Sequence, residues 1–367
     1  MTSSRASVLV VDDSRLVRRL LTDLLESSGE FRVVGEAEDG LDAIRKVHAL
    51  TPDLVTLDVE MPGLDGLQVL GYIMSETPRA VVMLTAAGDP RSDDLTLRAL
   101  ELGAVDFVRK PAPDEGLDAD SLRERVLGAL RGALGVNLAA AASILARPVR
   151  ARLRAAAPTR AATRVVALAA STGGPRALAE LIPALPPDLG AAVLVAQHMP
   201  AGFTVSLAER LDRRSALPVS EARTGEPLME NRVYIAPGGR HLRLSSGTDG
   251  APRLDVREEA PVHGVRPSAD VLFRSVAEIF GASAVGVVLT GMGRDGTEGL
   301  RVMRHAGAFA IVQDEATSTV YGMPKTALSV AGADAIASLP AMARSIVTAL
   351  EGRASRADVT LSALPRS

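Results

Sequence analysis

Short apolar runs alternate with helical patterns twice along this 367-residue chain, and that rhythm leaves few folds open. The first set of runs is Val8–Val11, Arg32–Val34, Leu54–Leu57, Val81–Leu84 and Phe107–Val108. Runs this continuous read as parallel strands covered on both faces. Helical patterns such as Leu16–Leu25 and Gly66–Met74 lie between them, and a fifth helix is expected from about Ser121 to Leu134. The rhythm resumes after Arg164. Val165–Ala170, Ala192–Ala196, Arg232–Ile235, Val285–Thr290 and Ala308–Gln313 read as strands. Arg176–Ile182, Val205–Asp212, Ala269–Phe280, Gly299–His305 and Pro340–Leu350 read as helices. The expected fold class is α/β with two domains, a flavodoxin-like (βα)5 unit and a doubly wound parallel sheet.

Between the two halves the composition shifts to Ala and Arg, with Pro148 and Pro158. The expected organisation is a first domain over 1–134, a linker over 135–163, a second domain over 164–351 and a patternless tail over 352–367. Apolar residues make up 47%, charged residues 23%, and the net charge is −3, so no basic excess points to nucleic acid. The chain has no cysteine, which excludes disulfides, thiolate zinc sites and a cysteine nucleophile and fits a reducing cytosol. Met1–Ser7 has no apolar core, so no signal peptide is expected. No apolar run is long enough to span a bilayer, so no membrane insertion is expected.

Three carboxylates fall at strand ends in the first half: Asp12, Asp13 and Asp58. The carboxyl ends of parallel strands share one edge, where ligands bind. Carboxylates converging there repel one another unless a hard cation such as Mg2+ sits among them. Thr85 and Lys110 end two further strands, and Lys110-Pro111 is a pair open to a cis bond. A carboxylate nucleophile, a metal, a hydroxyl and an ammonium together suit phosphoryl transfer.

These residues lie in Val10-Val11-Asp12-Asp13-Ser14, Leu57-Asp58-Val59-Glu60-Met61-Pro62-Gly63, Thr85-Ala86 and Asp106-Phe107-Val108-Arg109-Lys110-Pro111. Together the segments resemble a response-regulator receiver domain from residue 8 to about 134. The resemblance implies that Asp58 accepts a phosphoryl group from a histidine kinase. It implies that Asp12, Asp13, Asp58 and the Glu60 carbonyl hold Mg2+. It further implies that Lys110 pairs with the phosphate and that Thr85 and Phe107 relay the change.

In the second half, Ser171-Thr172-Gly173-Gly174-Pro175 joins a strand to a helix. A serine there is lifted above the sheet edge, close to amides that suit an oxyanion. The same turn is also a generic N-cap, and from this segment alone the two readings fit equally well. A nucleophilic serine needs a base. His48 and His305 fall in helices, His241 beside a strand, and His263 in a Pro- and Gly-rich stretch. His198 alone directly follows a strand, which places it at the edge that carries Ser171. Asp295 follows another strand, in Thr290-Gly291-Met292-Gly293-Arg294-Asp295-Gly296, and suits the orienting carboxylate.

The Ser171 turn, Gln197-His198-Met199-Pro200, Gly291-Met292-Gly293-Arg294-Asp295-Gly296 and Tyr321-Gly322-Met323-Pro324 resemble the catalytic domain of chemotaxis methylesterases. The Ala236-Pro237-Gly238-Gly239 and His241 region does so too. The resemblance implies Ser171 as nucleophile, His198 as general base and acid, and Asp295 as orienting carboxylate. Thr172 supports the site, and the Met292 amide contributes to the oxyanion hole. The implied substrate is the cytoplasmic part of methyl-accepting chemotaxis receptors, and the implied control is a receiver that blocks the site until Asp58 is phosphorylated. The hydrolysis itself needs no cofactor, and the expected location is the cytoplasm.

Two rival readings remain. Gly291 to Gly296 also fits Gly-x-Gly-x-x-Gly, and Asp314 and Glu315 end the next strand where a ribose-binding acid belongs, as in a dinucleotide-binding oxidoreductase. Asp295 argues against it, because a carboxylate competes with pyrophosphate for the same amides. The other rival is a receiver-gated signalling module without hydrolase activity, which leaves the Ser, His and Asp idle.

Overall fold

The computed structural model describes residues 5–86, 90–110, 119–136, 160–247 and 250–362. Contacts divide the chain into two units, Met1–Arg147 and Pro148–Ser367. Most of the expected linker, the Lys110-Pro111 bond and the last five residues lie outside the described residues.

The first unit runs β1 (Ala6–Val11), α1 (Arg15–Ser28), β2 (Phe31–Ala37), α2 (Gly40–Leu50), β3 (Leu54–Asp58), α3 (Gly66–Glu76), β4 (Ala80–Thr85), α4 (Pro90–Glu101), β5 (Asp106–Arg109) and α5 (Ala119–Leu134). The sheet order is β2-β1-β3-β4-β5 and every pairing is parallel. Its core gathers Val8, Val10, Leu54 and Val82 against Leu25, Val126 and Leu130. Local signals start the helices. Ser14 caps α1, Asp39 caps α2, and Asp65 with Gln68 forms a capping box on α3. Strand order reverses between β1 and β3, so the residues after those strands flank a crevice.

The second unit runs β6 (Val165–Ala170), α6 (Gly174–Ala184), β7 (Ala192–Gln197), α7 (Phe203–Arg214), β8 (Val219–Glu221), β9 (Val233–Ile235), β10 (His241–Ser246) and β11 (Pro252–Arg257). It continues through α8 (Ala269–Phe280), β12 (Ala284–Val288), α9 (Thr297–His305), β13 (Phe309–Gln313), α10 (Met323–Val330), β14 (Ala335–Ala337) and α11 (Leu339–Ser362). Seven strands form a parallel sheet in the order β14-β13-β12-β6-β7-β9-β8, while β10 and β11 make a separate antiparallel hairpin. β6, β7 and β12 are buried along their whole length, as their apolar sequences require, and Gln197 at the end of β7 is their one polar residue. Beneath the sheet edge, Ala169 and Val288 pack with Phe273, Leu300, Met303 and Met323.

Several elements differ from the sequence reading. β8, the β10–β11 hairpin, α10 and β14 were not expected, and α11 continues to Ser362 rather than stopping at Leu350. The hairpin escapes notice because it is half polar: Leu242, Leu244 and Leu254 face inward between charged neighbours. The strand expected to reach Thr290 ends at Val288, because the Thr290 amide turns to the Gln313 side chain. Residues 161 and 162 pair with the second unit, through an Ala161–Met229 bridge and a bond from the Ala162 amide to the Leu228 carbonyl.

Candidate active site

In the first unit, β1 and β3 deliver Asp12 and Asp58 to the crevice, both buried, with Asp13 exposed beside them. Carboxylate oxygens of the three lie within 4.8 Å of one another. Lys110, from the end of β5, places Nζ 2.6 Å from Asp58 Oδ2 and 2.7 Å from Asp12 Oδ2. Burial pushes the Asp58 carboxyl up to about 6 and the Asp12 charge adds to that rise, against the pull of Lys110 and a bond from the Glu60 amide. Burial acts against the Lys110 charge, but Asp58 and Asp12 outweigh it and raise its pKa. One ammonium among three carboxylates leaves a negative, all-oxygen site, and that donor set fits a hard divalent cation.

Thr85 is fully buried, and its hydroxyl lies 2.6 Å from Ser92 Oγ and 3.0 Å from Thr96 Oγ1, both on α4. Phe107 lies half-buried on β5.

In the second unit the order β12-β6-β7 puts three loops side by side. β6 leads to Ser171, β7 to His198 and β12 to Asp295. The strand order runs outward in both directions from β6 and β12, which makes this the crevice of the sheet. The nucleophile turn is pinned on both sides. The Ser171 amide donates to the Thr290 carbonyl at 3.1 Å, and the His198 amide donates to the Ala170 carbonyl at 3.0 Å. Gly173 adopts a φ of +77°, and a Cβ there would lie 2.5 Å from Thr319 Cβ, so the turn needs glycine twice over. Pro175 then opens α6.

His198 Nε2 lies 2.7 Å from Asp295 Oδ2. Asp295 is buried and accepts three further bonds: from Ser268 Oγ at 2.6 Å, the Ala269 amide at 2.6 Å and the Asp270 amide at 3.2 Å. Burial works to raise its pKa, but His198, Ser268 and Ala269 together hold the carboxyl below the ordinary range. The Ser171 hydroxyl is half-buried and has no hydrogen bond to His198 among the described residues. The Thr172 carbonyl accepts from Thr290 Oγ1 at 3.0 Å. Met292 stands 45% exposed at the edge, and its amide has no hydrogen bond among the described residues.

The surroundings hold residues that the sequence reading left without a role. Ser268 is the N-cap residue of α8, and its amide donates to His241 Nδ1 at 3.1 Å. His241 is fully buried and its Nε2 lies 3.0 Å from the Ala260 carbonyl, which fixes a neutral tautomer with the proton on Nε2. His263 Nε2 lies 3.0 Å from Asp270 Oδ2. Pro267-Ser268-Ala269-Asp270 carries the sequence signal of a helix start, which could have located Ser268. Nothing in the sequence joins it to Asp295.

The dinucleotide reading meets a carboxylate where a pyrophosphate would go. Asp270 Oδ1 takes the Gly299 amide of α9, the helix that Gly291–Gly296 opens, at 2.6 Å, whereas Asp295 turns to the first amides of α8. Asp314 bonds its own turn, accepting from the Thr317 amide and hydroxyl.

Comparison with known proteins matches each of the two units to a family. The family model described as CheB methylesterase matches residues 166–346, and the response regulator receiver domain matches residues 8–120. A protein-glutamate methylesterase/protein-glutamine glutaminase of Symbiobacterium thermophilum is 43% identical over 94% of this chain and 96% of its own length. The chain belongs to the CheB methylesterase family. A second CheB-family relative with the same description, from Pyrococcus horikoshii, is 40% identical over 95% of this chain and 94% of its own length. The solved catalytic domain of Thermotoga maritima CheB is 39% identical, covers 50% of this chain and 97% of that domain, and has a TM-score of 0.49. As a CheB-family chain, this protein is a hydrolase joined to a receiver domain. No helix among its described residues is long and apolar enough to cross a membrane.

Proposed function

We propose that this chain hydrolyses glutamyl methyl esters on the cytoplasmic helices of methyl-accepting chemotaxis receptors, releases methanol, and also deamidates receptor glutamines. The observation that carries the catalytic assignment is the His198–Asp295 pair, set beside Ser171 on three adjacent loops of one sheet edge. Ser171 Oγ attacks the ester carbonyl and passes its proton to His198. Asp295 holds His198 Nε2, so Nδ1 is the nitrogen that takes this proton. The Met292 amide, open at the edge, supports the oxyanion, and Thr172 keeps the turn in place. Methanol leaves with the proton from His198. Water then enters by the reverse path and frees Ser171 and the glutamate carboxylate. A glutamine amide follows the same course and releases ammonia.

The receiver supplies control from the cytoplasm, with a chemotaxis histidine kinase as phosphodonor to Asp58. Asp12, Asp13, Asp58 and the Glu60 carbonyl are the residues that would hold Mg2+, which neutralises charge on the arriving phosphoryl group. Lys110 stays within reach of that group, and Thr85 and Phe107 carry the change onward. The domain limits proposed with this reading are 1–134 and 164–351, with residues 161 and 162 and the rest of α11 attached to the second. The test is methanol release from methylated receptor, with and without a small phosphodonor and Mg2+. The wild type should respond to the phosphodonor, and Ser171→Ala should release no methanol while Asp58 is still phosphorylated. Methanol release by Ser171→Ala removes Ser171 as nucleophile.

A further inference from the structure

Gln197 is the last residue of β7, is 1% exposed, and carries an uncharged amide into the interior beneath the catalytic edge. Its Nε2 donates to the Ser171 carbonyl at 3.0 Å and to the His198 carbonyl at 3.1 Å. One side-chain nitrogen therefore spends its two hydrogens on the two residues that carry the nucleophile and the base. The main chain repeats the link, since Gln197 is in register with Ala170.

The local sequence makes room for this amide. The Gly174 amide donates to the Ser171 carbonyl at 2.7 Å, closing the turn from the other side. A Cβ on Gly174 would lie 1.9 Å from Gln197 Oε1 and 2.9 Å from Ala170 Cβ, so a glycine there leaves the space that the amide fills. Gln197 Oε1 is buried and has no hydrogen-bond partner among the described residues. A buried amide oxygen left unpaired costs stability. An apolar side chain of the same volume would remove that oxygen, but it would also take the donor from the Ser171 and His198 carbonyls, so what the glutamine adds here is the link between the two turns.

We infer that Gln197 is a positioning residue for ester hydrolysis, a clamp whose amide fixes the Ser171 turn against the His198 turn. This rests on Ser171 and His198 acting as nucleophile and base. Proton transfer between them depends on the separation of two side chains that stand on different loops. No hydrogen bond joins the two side chains directly among the described residues, so their spacing is set by the main chain that Gln197 holds. An error of about 1 Å in such a geometry costs on the order of 100-fold in rate without altering what binds.

Gln197→Met keeps the volume and removes both donors, and Gln197→Glu puts a third oxygen against two carbonyls. The full chain is used, with kcat and KM measured for methanol release and thermal unfolding followed alongside. Both variants should lose about 10- to 100-fold in kcat with KM within about twofold. In Gln197→Met, which adds no charge, the pH profile of kcat/KM should keep its acid limb in place, because the His198–Asp295 pair is untouched. Wild-type kcat in a folded Gln197→Met overturns the clamp. So does a rise in KM at constant kcat, a displaced acid limb, or a kcat loss that disappears when the variant is assayed well below its lowered unfolding temperature. Ser171→Ala, run in parallel, separates the two readings. If it retains activity the catalytic assignment fails, and if it is inactive while Gln197→Met is fully active only the clamp fails.

Discussion

Asp295 and Asp270 each cap the helix that belongs to the other. Asp295 stands just before α9 and accepts the Ala269 and Asp270 amides at the start of α8. Asp270 lies in the first turn of α8 and accepts the Gly299 amide in the first turn of α9. Each carboxylate sits at the positive end of a helix dipole, and the exchange locks the two helices together beneath His198. It also brings two like charges close, and their environments push them apart. Asp295 is held below the ordinary carboxyl range by His198, Ser268 and Ala269 against its burial. Asp270 is raised, first by burial and then by the charge of Asp295, against the pull of Gly299 and His263.

The pH dependence of stability follows with a definite sign. A carboxyl depressed by folding stabilises above its unfolded pKa of about 4, and that contribution is lost as pH falls through the lower folded value. Asp295 is of this kind. Asp270 is the reverse: its contribution is full at low pH and is lost as pH rises through its raised value. Asp295→Asn should therefore lower the unfolding temperature most at neutral pH, with the gap to wild type narrowing toward pH 3. A gap that stays constant from pH 3 to pH 7 contradicts the assignment.

The same substitution tests the catalytic pairing. An asparagine keeps the shape but offers His198 Nε2 an amide hydrogen in place of an acceptor. The imidazole then carries its proton on Nδ1, where it cannot act as base. Asp295→Asn should lose on the order of 10^4-fold in kcat, the scale of a wrong tautomer, and should still bind receptor. A loss under tenfold would mean that His198 does not depend on Asp295 for its tautomer.

Most of the scaffold for these sites was readable from residues alone, and the reason is burial on two faces. Val165–Ala170 and Ala192–Ala196 are unbroken apolar runs because helices cover both sides, and such runs are hard to misread. Strand ends then placed Asp12, Asp58, Ser171 and His198. The Ser171 turn was ambiguous by itself, since an N-cap and a nucleophile share the same residues. What stayed hidden is the support. Gln197, Ser268 and His241 act through contacts with residues far away in sequence, such as Ser268 with Asp295, and no periodicity or spacing encodes those. The Gly-x-Gly-x-x-Gly pattern misleads for the same reason, because Asp270 takes the Gly299 amide from a different helix.

The receiver site should respond to Mg2+ through Asp58. Burial sets its carboxyl at about 6, above the unfolded value of about 4. A raised carboxyl stabilises below its unfolded pKa and loses that contribution as pH rises through the folded value. In chelator, the receiver unit should lose stability between about pH 4 and pH 6 for this reason. A divalent cation favours the ionised form, so saturating Mg2+ should abolish the loss. Thermal unfolding of the full chain across this range, in chelator and in Mg2+, makes the comparison. Superimposable curves would exclude Asp58 as a metal ligand.

Thr85 offers a handle on the relay. Its hydroxyl is held by Ser92 at 2.6 Å and Thr96 at 3.0 Å, and both partners belong to α4. Thr96 Oγ1 also bonds the Ser92 carbonyl, so α4 binds Thr85 through a closed hydroxyl cluster without charge. For Thr85 to turn toward a phosphoryl group on Asp58, it must leave these partners. A neutral hydrogen bond contributes about 1 kcal/mol net, or about fivefold in an equilibrium. Ser92→Ala removes one such bond, so basal methanol release without phosphodonor should rise by up to about fivefold, and the increment on phosphorylation should shrink to match. Thr85→Val should do the opposite, leaving Asp58 phosphorylation intact and removing most of the response. If Ser92→Ala leaves basal release unchanged while Thr85→Val removes the response, Thr85 relays the signal by a route that does not pass through α4.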